Sequence, residues 1–240
     1  CAGGPIAVVS TAHSDPDDAG NIYRAIFLAL GAAHVEVAAV DSRDEANSDA
    51  IEQLIRRSAG VFFTGGDQLR ITSLWGGTRA LDALHAAFRG GALVAGTSAG
   101  ASALTSTMVV GGPDDQPARK CTLKMAPGLG LLEQAIVDQH FAQRGRIGRL
   151  LCGVAENPHA LGIGIDENTA VRVLPDARFE VLGENAVTVI DGRGIALTNA
   201  SELAPDEILA IAGVTLHLLP RGYGFDMKRR RVLAPSDAAL

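Results

Sequence analysis

Up to about Leu104 the chain alternates between short β-branched apolar runs and stretches of helical periodicity, and that alternation restricts what it can fold into. "PIAVVST" (Pro5 to Thr11) is too short for a stable helix. It is followed by the polar "AHSDPDDAG" and then by "NIYRAIFLALGA", whose apolar residues recur at helical spacing and stop at Gly31. That is strand, loop, helix. "VEVAAVDS" predicts the next strand, "DEANSDAIEQLIRRS" one helix capped by Ser48 or Asn47, and "GVFFTGG" another buried strand. "ITSLWGGTRALDALHAAFRGG" predicts a helix in two pieces broken at Gly76 and Gly77, and "ALVAGTS" a further strand. Strands alternating with helices build a parallel sheet with both faces covered. The expected fold class is α/β, three-layered around a mostly parallel central sheet with helices on both faces.

Beyond Leu104 the pattern changes. "GGPDDQPARK" (Gly111 to Lys120) is rich in turn formers and charge and predicts a surface loop or broken hairpin. Then come a strand, "AIVDQHF", a helix, "RIGRLLCGVAEN", and a β-rich C-terminal part in "ALGIGIDENTAVRVL", "FEVLGENAVTVID" and "VTLHLLPRGYGFDM". With no internal repeat, low-complexity tract or linker in view, residues 1–240 read as a single domain.

Composition narrows the partners. A formal net charge of -6 disfavours polyanions such as nucleic acid as bulk partners, so any basic patch must be local. Cys1, Cys121 and Cys152 are few and widely spaced, which excludes a disulfide framework or a C-x-x-C zinc pattern and fits a reducing, cytoplasmic location. No run approaches the ~20 apolar residues that span a bilayer.

Gly96-Thr97-Ser98-Ala99-Gly100 fits G-x-S-x-G, with an apolar strand before it and small residues opening a helix after it. A Gly-rich strand-to-helix turn needs small residues in any case. In the catalytic reading, Ser98 is a nucleophile on a strained elbow, and the flanking glycines remove side chains that would collide with the turn. The Ala99 N–H then faces the oxyanion formed when Ser98 attacks a carbonyl. "FFTGGDQ" ends an earlier strand at the same sheet edge; Gly65 or Gly66 can supply the second donor, and Gln68 a neutral contact to substrate.

A serine nucleophile needs a base. His13, His34, His85, His159 and His217 fall in polar loops, in or beside helices, or inside an alternating strand. His140 stands at a strand end, beside Asp138, Gln139 and several arginines. The acid that orients it is expected to be Glu167 in "GIGIDENTAV"; Asp138 is the rival, and Asp166 alternates to the other face. Arg144, Arg146 and Arg149 either line a solvated helix face or grip carboxylates of an acidic substrate bidentately.

Through "FFTGGDQLRI", "AGTSAGASAL", "MAPGLGLL", "DQHFAQRGRIGRLL", "GIGIDENTAV" and "LPRGYGFDMKRRR", the chain resembles the cyanophycinases, serine peptidases of the class that includes the aspartyl dipeptidases. The resemblance implies hydrolysis of cyanophycin, a polyaspartate bearing arginine on its side chains, to β-Asp-Arg dipeptides. It also implies Ser98, His140 and Glu167 as nucleophile, base and acid, with a substrate pocket of Gln68, Asp138, Gln139, Arg144, Arg146 and Arg149. No cofactor or metal is implied, no nucleic acid or membrane partner, and the assembly implied is a homodimer. One departure concerns the start. "CAGG" resembles the tail of the helix that precedes "PIAVVST" in the family, so the domain is expected to lack its first strand and most of its first helix, and a lipoprotein role for Cys1 is set aside. The competing readings are an Asp-specific dipeptidase, distinguished by cleaving dipeptides alone, and a catalytically silent binder of acidic peptides. A glutamine amidotransferase-like enzyme would need cysteine where Ser98 stands.

Overall fold

A computed structural model describes residues 4–120 and 123–235, so Cys1 and Cys121 lie outside the described residues. The chain divides into two compact units, one of residues 1–108 with 126–133 and one of 109–125 with 134–240.

The first unit contains β1 (Ile6–Val9), α1 (Pro16–Ala29), β2 (Val35–Ala38), α2 (Arg43–Ala46), α3 (Asp49–Arg57), β3 (Gly60–Phe63), α4 (Gln68–Trp75), α5 (Arg79–Arg89), β4 (Leu93–Gly96) and α6 (Ala99–Ala103). Its four strands run parallel in the order β2-β1-β3-β4. Ala7, Val8 and Val9 are all buried, and neighbouring strand residues point to opposite faces, so both faces of the sheet are covered. Two adjacent phenylalanines show what covers them. Phe62 packs against Tyr23 and Phe27 of α1, with ring centroids 5.0 and 5.1 Å away, whereas Phe63 meets Trp75 of α4 edge-on at 5.3 Å. Trp75, fully buried, places its indole N–H on Thr11 Oγ1 at 3.1 Å, which ties α4 to the loop after β1.

The helices depart from expectation in two places. α1 begins five residues before Asn21, inside the stretch expected to be loop. Asp15 caps it by accepting the Asp18 N–H, Pro16 occupies its first turn, and Asp17 and Asp18 complement the positive end of its dipole. The helix expected to be capped by Ser48 or Asn47 is α3, but a further short helix, α2, precedes it. Ser42 caps α2 through the Glu45 N–H, Asn47 ends it, and Ser48 caps α3 through the Ile51 N–H. Gly76 and Gly77 do separate α4 from α5.

The chain continues through β5 (Thr107–Gly111) and β6 (Lys124–Pro127), which pair with each other. The second unit then contains β7 (Ala135–Gln139), α7 (Ile147–Glu156), β8 (Leu161–Ile165), β9 (Thr169–Val173), β10 (Arg178–Gly183), β11 (Ala186–Asp191), β12 (Leu197–Thr198), β13 (Ile211–Ala212), β14 (Thr215–Pro220), β15 (Gly224–Asp226) and β16 (Arg231–Leu233). One sheet, in the order β14-β11-β8-β7, is mixed: β7 and β8 are parallel and the other pairs antiparallel. A second four-stranded sheet, β16-β15-β10-β9, is antiparallel throughout, and β12 and β13 pair antiparallel with each other. A core of Val109, Ile136, Phe141, Leu150, Val154 and Ile190 holds α7 against the mixed sheet. The alternate glycines of "LGIGI" make the room: a Cβ on Gly162 would meet Val154 at 2.8 Å, and one on Gly164 would run into the Phe141 ring.

Candidate active site

In the first unit the site is built at the C-terminal ends of β3 and β4. β4 turns into α6 at Ser98, which takes φ 51° and ψ -116°, a conformation costly for any residue with a side chain. The turn is possible because of its glycines. A Cβ on Gly96 would stand 2.5 Å from the Gly100 carbonyl carbon, and one on Gly100 would run into the Phe63 carbonyl of β3. Ala99 is the first residue of α6, so its N–H has no acceptor within the helix. The loop after β3 lies alongside: a Cβ on Gly65 would touch Ser98 Cβ at 3.4 Å. Gly66 takes φ 140° where its backbone crosses Ala12, and the Asp67 N–H donates to the Ala12 carbonyl at 2.8 Å. Asp67 caps α4 through the Leu69 N–H, which sets Gln68, half-buried, at the helix start. Ser98, Ala99, Gly65, Gly66 and Gln68 are thus held on two strand-to-helix turns of one sheet edge.

The second unit holds the other group. β7 ends at Gln139, and His140 follows with φ 51°. The turn is pinned at the two residues that follow the imidazole. Phe141 is buried and its N–H donates to the Ile165 carbonyl at 3.2 Å, and Asp166 accepts the Ala142 N–H at 3.0 Å. Asp166 also accepts the Ala186 N–H at 3.3 Å, and Gln143 Oε1 accepts the Glu167 N–H at 3.1 Å. These contacts carry Glu167 to the imidazole, where its Oε1 lies 2.9 Å from His140 Nδ1. Of the three acids considered from the sequence, Glu167 is the one in this contact.

Asp138 is engaged elsewhere. It is fully buried, with Oδ2 accepting the Arg149 Nε–H at 2.6 Å and Oδ1 facing Arg149 Nη2 and, at 3.4 Å, Arg146 Nη1. Arg146 and Arg149 are themselves 6 % exposed, so they line no solvated helix face. Arg146 Nη1 also donates to the Gln139 carbonyl at 2.6 Å and to Gln139 Oε1 at 3.2 Å, which holds the residue before His140. Arg144 is different, with half of its side chain exposed.

Asp114 completes the cluster, from a loop read in the sequence as turn formers and charge and given no site residue. Its Oδ1 accepts from Arg146 Nε at 2.7 Å and Arg149 Nη1 at 3.4 Å, and Arg146 holds its carboxyl below the usual carboxylate range. Gly145 and Gly148 seat this loop. A Cβ on Gly145 would stand 2.8 Å from Asp115 Oδ1, and one on Gly148 would run into the Gln116 carbonyl. The sequence signal was there in two forms: glycines spaced among the arginines, and apolar neighbours that would bury those arginines and so demand acids.

Among the described residues no group of His, Cys, Asp and Glu side chains is arranged to hold a metal ion, and no helix is long and apolar enough to cross a membrane. The first unit supplies a strained serine at the start of α6 beside a Gly-Gly turn, and the second an imidazole oriented by a carboxylate and a guanidinium cluster.

Comparison with known proteins gives the family. The chain is 37 % identical over 229 residues to a cyanophycinase of a Nostoc species, covering 95 % of this chain and 77 % of that protein. It is 34 % identical over 238 residues to a cyanophycinase of Geminocystis herdmanii, covering 98 % of this chain and 88 % of the relative. The crystal structure of a peptidase from an acI-B1 actinobacterium superposes with a TM-score of 0.61 at 19 % identity, covering 89 % of this chain and 82 % of that one, a likeness of fold. Residues 5–180 match the family model of peptidase family S51, and with relatives this similar over nearly its whole length the chain belongs to that peptidase family.

Proposed function

We propose that the protein is a serine-type cyanophycinase, in which Ser98 attacks a backbone carbonyl of the polyaspartate chain and releases β-Asp-Arg dipeptides. The observation that carries this reading is the left-handed backbone of Ser98 between Gly96 and Gly100. Such strain persists where it presents a side chain for chemistry. His140 takes the hydroxyl proton as the Ser98 Oγ–carbon bond forms, and returns it to the leaving amine as the peptide bond breaks. Glu167 holds the imidazole in orientation through Nδ1 and stabilises its charged form. The backbone N–H groups of Ala99 and Gly66 are assigned to the oxyanion. Water then attacks the acyl-enzyme, with His140 again as base.

For the polymer, Gln68, Gln139 and Arg144 are assigned to direct contact. Asp138 is enclosed by Arg146 and Arg149, so it serves the pocket by fixing those two guanidinium groups. We take the working form to be a cytoplasmic homodimer, in line with the resemblance.

The test is release of β-Asp-Arg from insoluble cyanophycin by the wild type and by Ser98→Ala. Activity should fall by at least about a thousandfold in the variant, as for removal of a serine nucleophile. A wild type that leaves the polymer intact but cleaves small Asp-containing peptides is a dipeptidase. One that cleaves neither leaves the serine as part of a turn.

A further inference from the structure

Hydrolysis of this polymer requires recognition of two opposite charges in each repeat, a carboxylate and a guanidinium, and the second has no obvious receptor among the residues assigned so far. Asp138 has no exposed surface and both its oxygens are engaged by arginine. Glu167 sets one oxygen, Oε1, against His140 Nδ1 and is already assigned to orient that imidazole, and both oxygens of Asp166 accept backbone N–H groups. Asp114 is different. Its Oδ1 is turned inward to Arg146 and Arg149, whereas among the described residues Oδ2 accepts no hydrogen bond and lies 4.0 Å from Arg144 Nη1. The side chain is 40 % exposed, beside the half-exposed Arg144.

We propose that Asp114 is a specificity-determining residue, whose outward oxygen takes the guanidinium of the substrate's arginine side chain while the neighbouring Arg144 takes a carboxylate. The proposal rests on the cyanophycin reading and adds the receptor for its cationic half. An exposed anion and cation side by side match a ligand that carries both. The loop is also fixed in advance. Arg149 Nη1 donates to the Gly112 carbonyl at 3.2 Å, the Asp115 N–H donates to the Arg144 carbonyl at 3.1 Å, and Arg146 holds the other oxygen of Asp114. Little ordering cost then remains for binding.

The experiment compares a synthetic trimer of β-Asp-Arg repeats with the same trimer carrying citrulline, in which a neutral ureido group replaces the guanidinium. Asp114→Asn keeps an acceptor for Arg146 and removes the charge. On the arginine trimer it should raise KM by about tenfold or more with kcat within about twofold, the size of a lost charge-assisted hydrogen bond. On the citrulline trimer the rise in KM should be several times smaller. Asp114→Glu should restore part of the preference, and Asp115→Asn, one residue along the same loop, should leave it intact. Equal losses on both trimers, or an unchanged arginine preference in Asp114→Asn, would overturn the assignment. A wild type that cleaves both trimers equally well also overturns it, and leaves the cyanophycin reading standing. A wild type that cleaves neither trimer nor the polymer removes that reading, and the assignment with it.

Discussion

At Ser98 the strain is in the backbone, and this can be measured apart from catalysis. A residue with a Cβ held at φ 51° costs more than glycine there, since glycine takes positive φ freely. Ser98→Gly and Ser98→Ala remove the same hydroxyl, so both lose activity, but only the first relieves the strain. In urea titrations Ser98→Gly should be more stable than Ser98→Ala by about 1 kcal/mol. Equal stabilities would mean that the turn is relaxed and that the glycines on either side serve packing alone. Those glycines were legible from the sequence, because a short-range collision follows from a five-residue motif. The contact between His140 and Glu167 was legible only as a choice among acids, since it joins residues 27 apart that no local rule brings together.

At the scale of elements, β7 and α7 are joined by a charge pair inside a hydrophobic core. Asp138 near the end of β7 and Arg149 in the first turn of α7 are both buried, and each is satisfied by partners that are buried with it or close to it. Breaking such a pair leaves a charge with no water to meet it. Asp138→Leu or Arg149→Met alone should therefore cost about 3–5 kcal/mol of stability. The double variant should be less damaging than the sum of the two, because apolar residues of similar volume remove the desolvation cost together with the attraction. A strictly additive double variant in the same urea titrations would show that the two groups are not coupled. Asp114 and Gln139 would still hold Arg146 in every variant. The pairing also explains what the sequence left obscure in this region. Helical periodicity located α7, but whether its arginines face water or the core depends on Asp138 and on a loop more than twenty residues upstream. The start of α1 was obscured for another reason: Asp15, Pro16, Asp17 and Asp18 form a good helix entry by capping and dipole chemistry, yet read as loop by hydropathy alone.

Across the whole molecule, the acids tied to arginine set how the fold responds to pH. Asp114, Asp176 and Asp226 all titrate below the ordinary carboxylate range in the folded protein. For Asp226 burial pushes the other way, and it is outweighed by the Arg229 N–H and guanidinium and by the Lys228 N–H; for Asp114 the leading cause is Arg146, and for Asp176 the Arg178 N–H. A carboxyl whose folded pKa is depressed contributes stability that is fully present above its unfolded pKa and is lost as pH falls through the folded one. With unfolded aspartate near 3.9, the urea midpoint should hold above about pH 5 as far as these groups govern it, and fall steadily below about pH 4. Asp226 is the informative one, because its side chain is 5 % exposed and little screened by solvent. Asp226→Asn should unfold at lower urea than the wild type at pH 7, and its midpoint should fall less steeply on acidification, so that the two curves converge toward pH 3. Parallel curves over that range would mean that the Asp226 contacts with Lys228 and Arg229 contribute nothing to acid sensitivity, and that the loss of stability comes instead from the positive charge the whole chain gains as its other carboxylates are protonated.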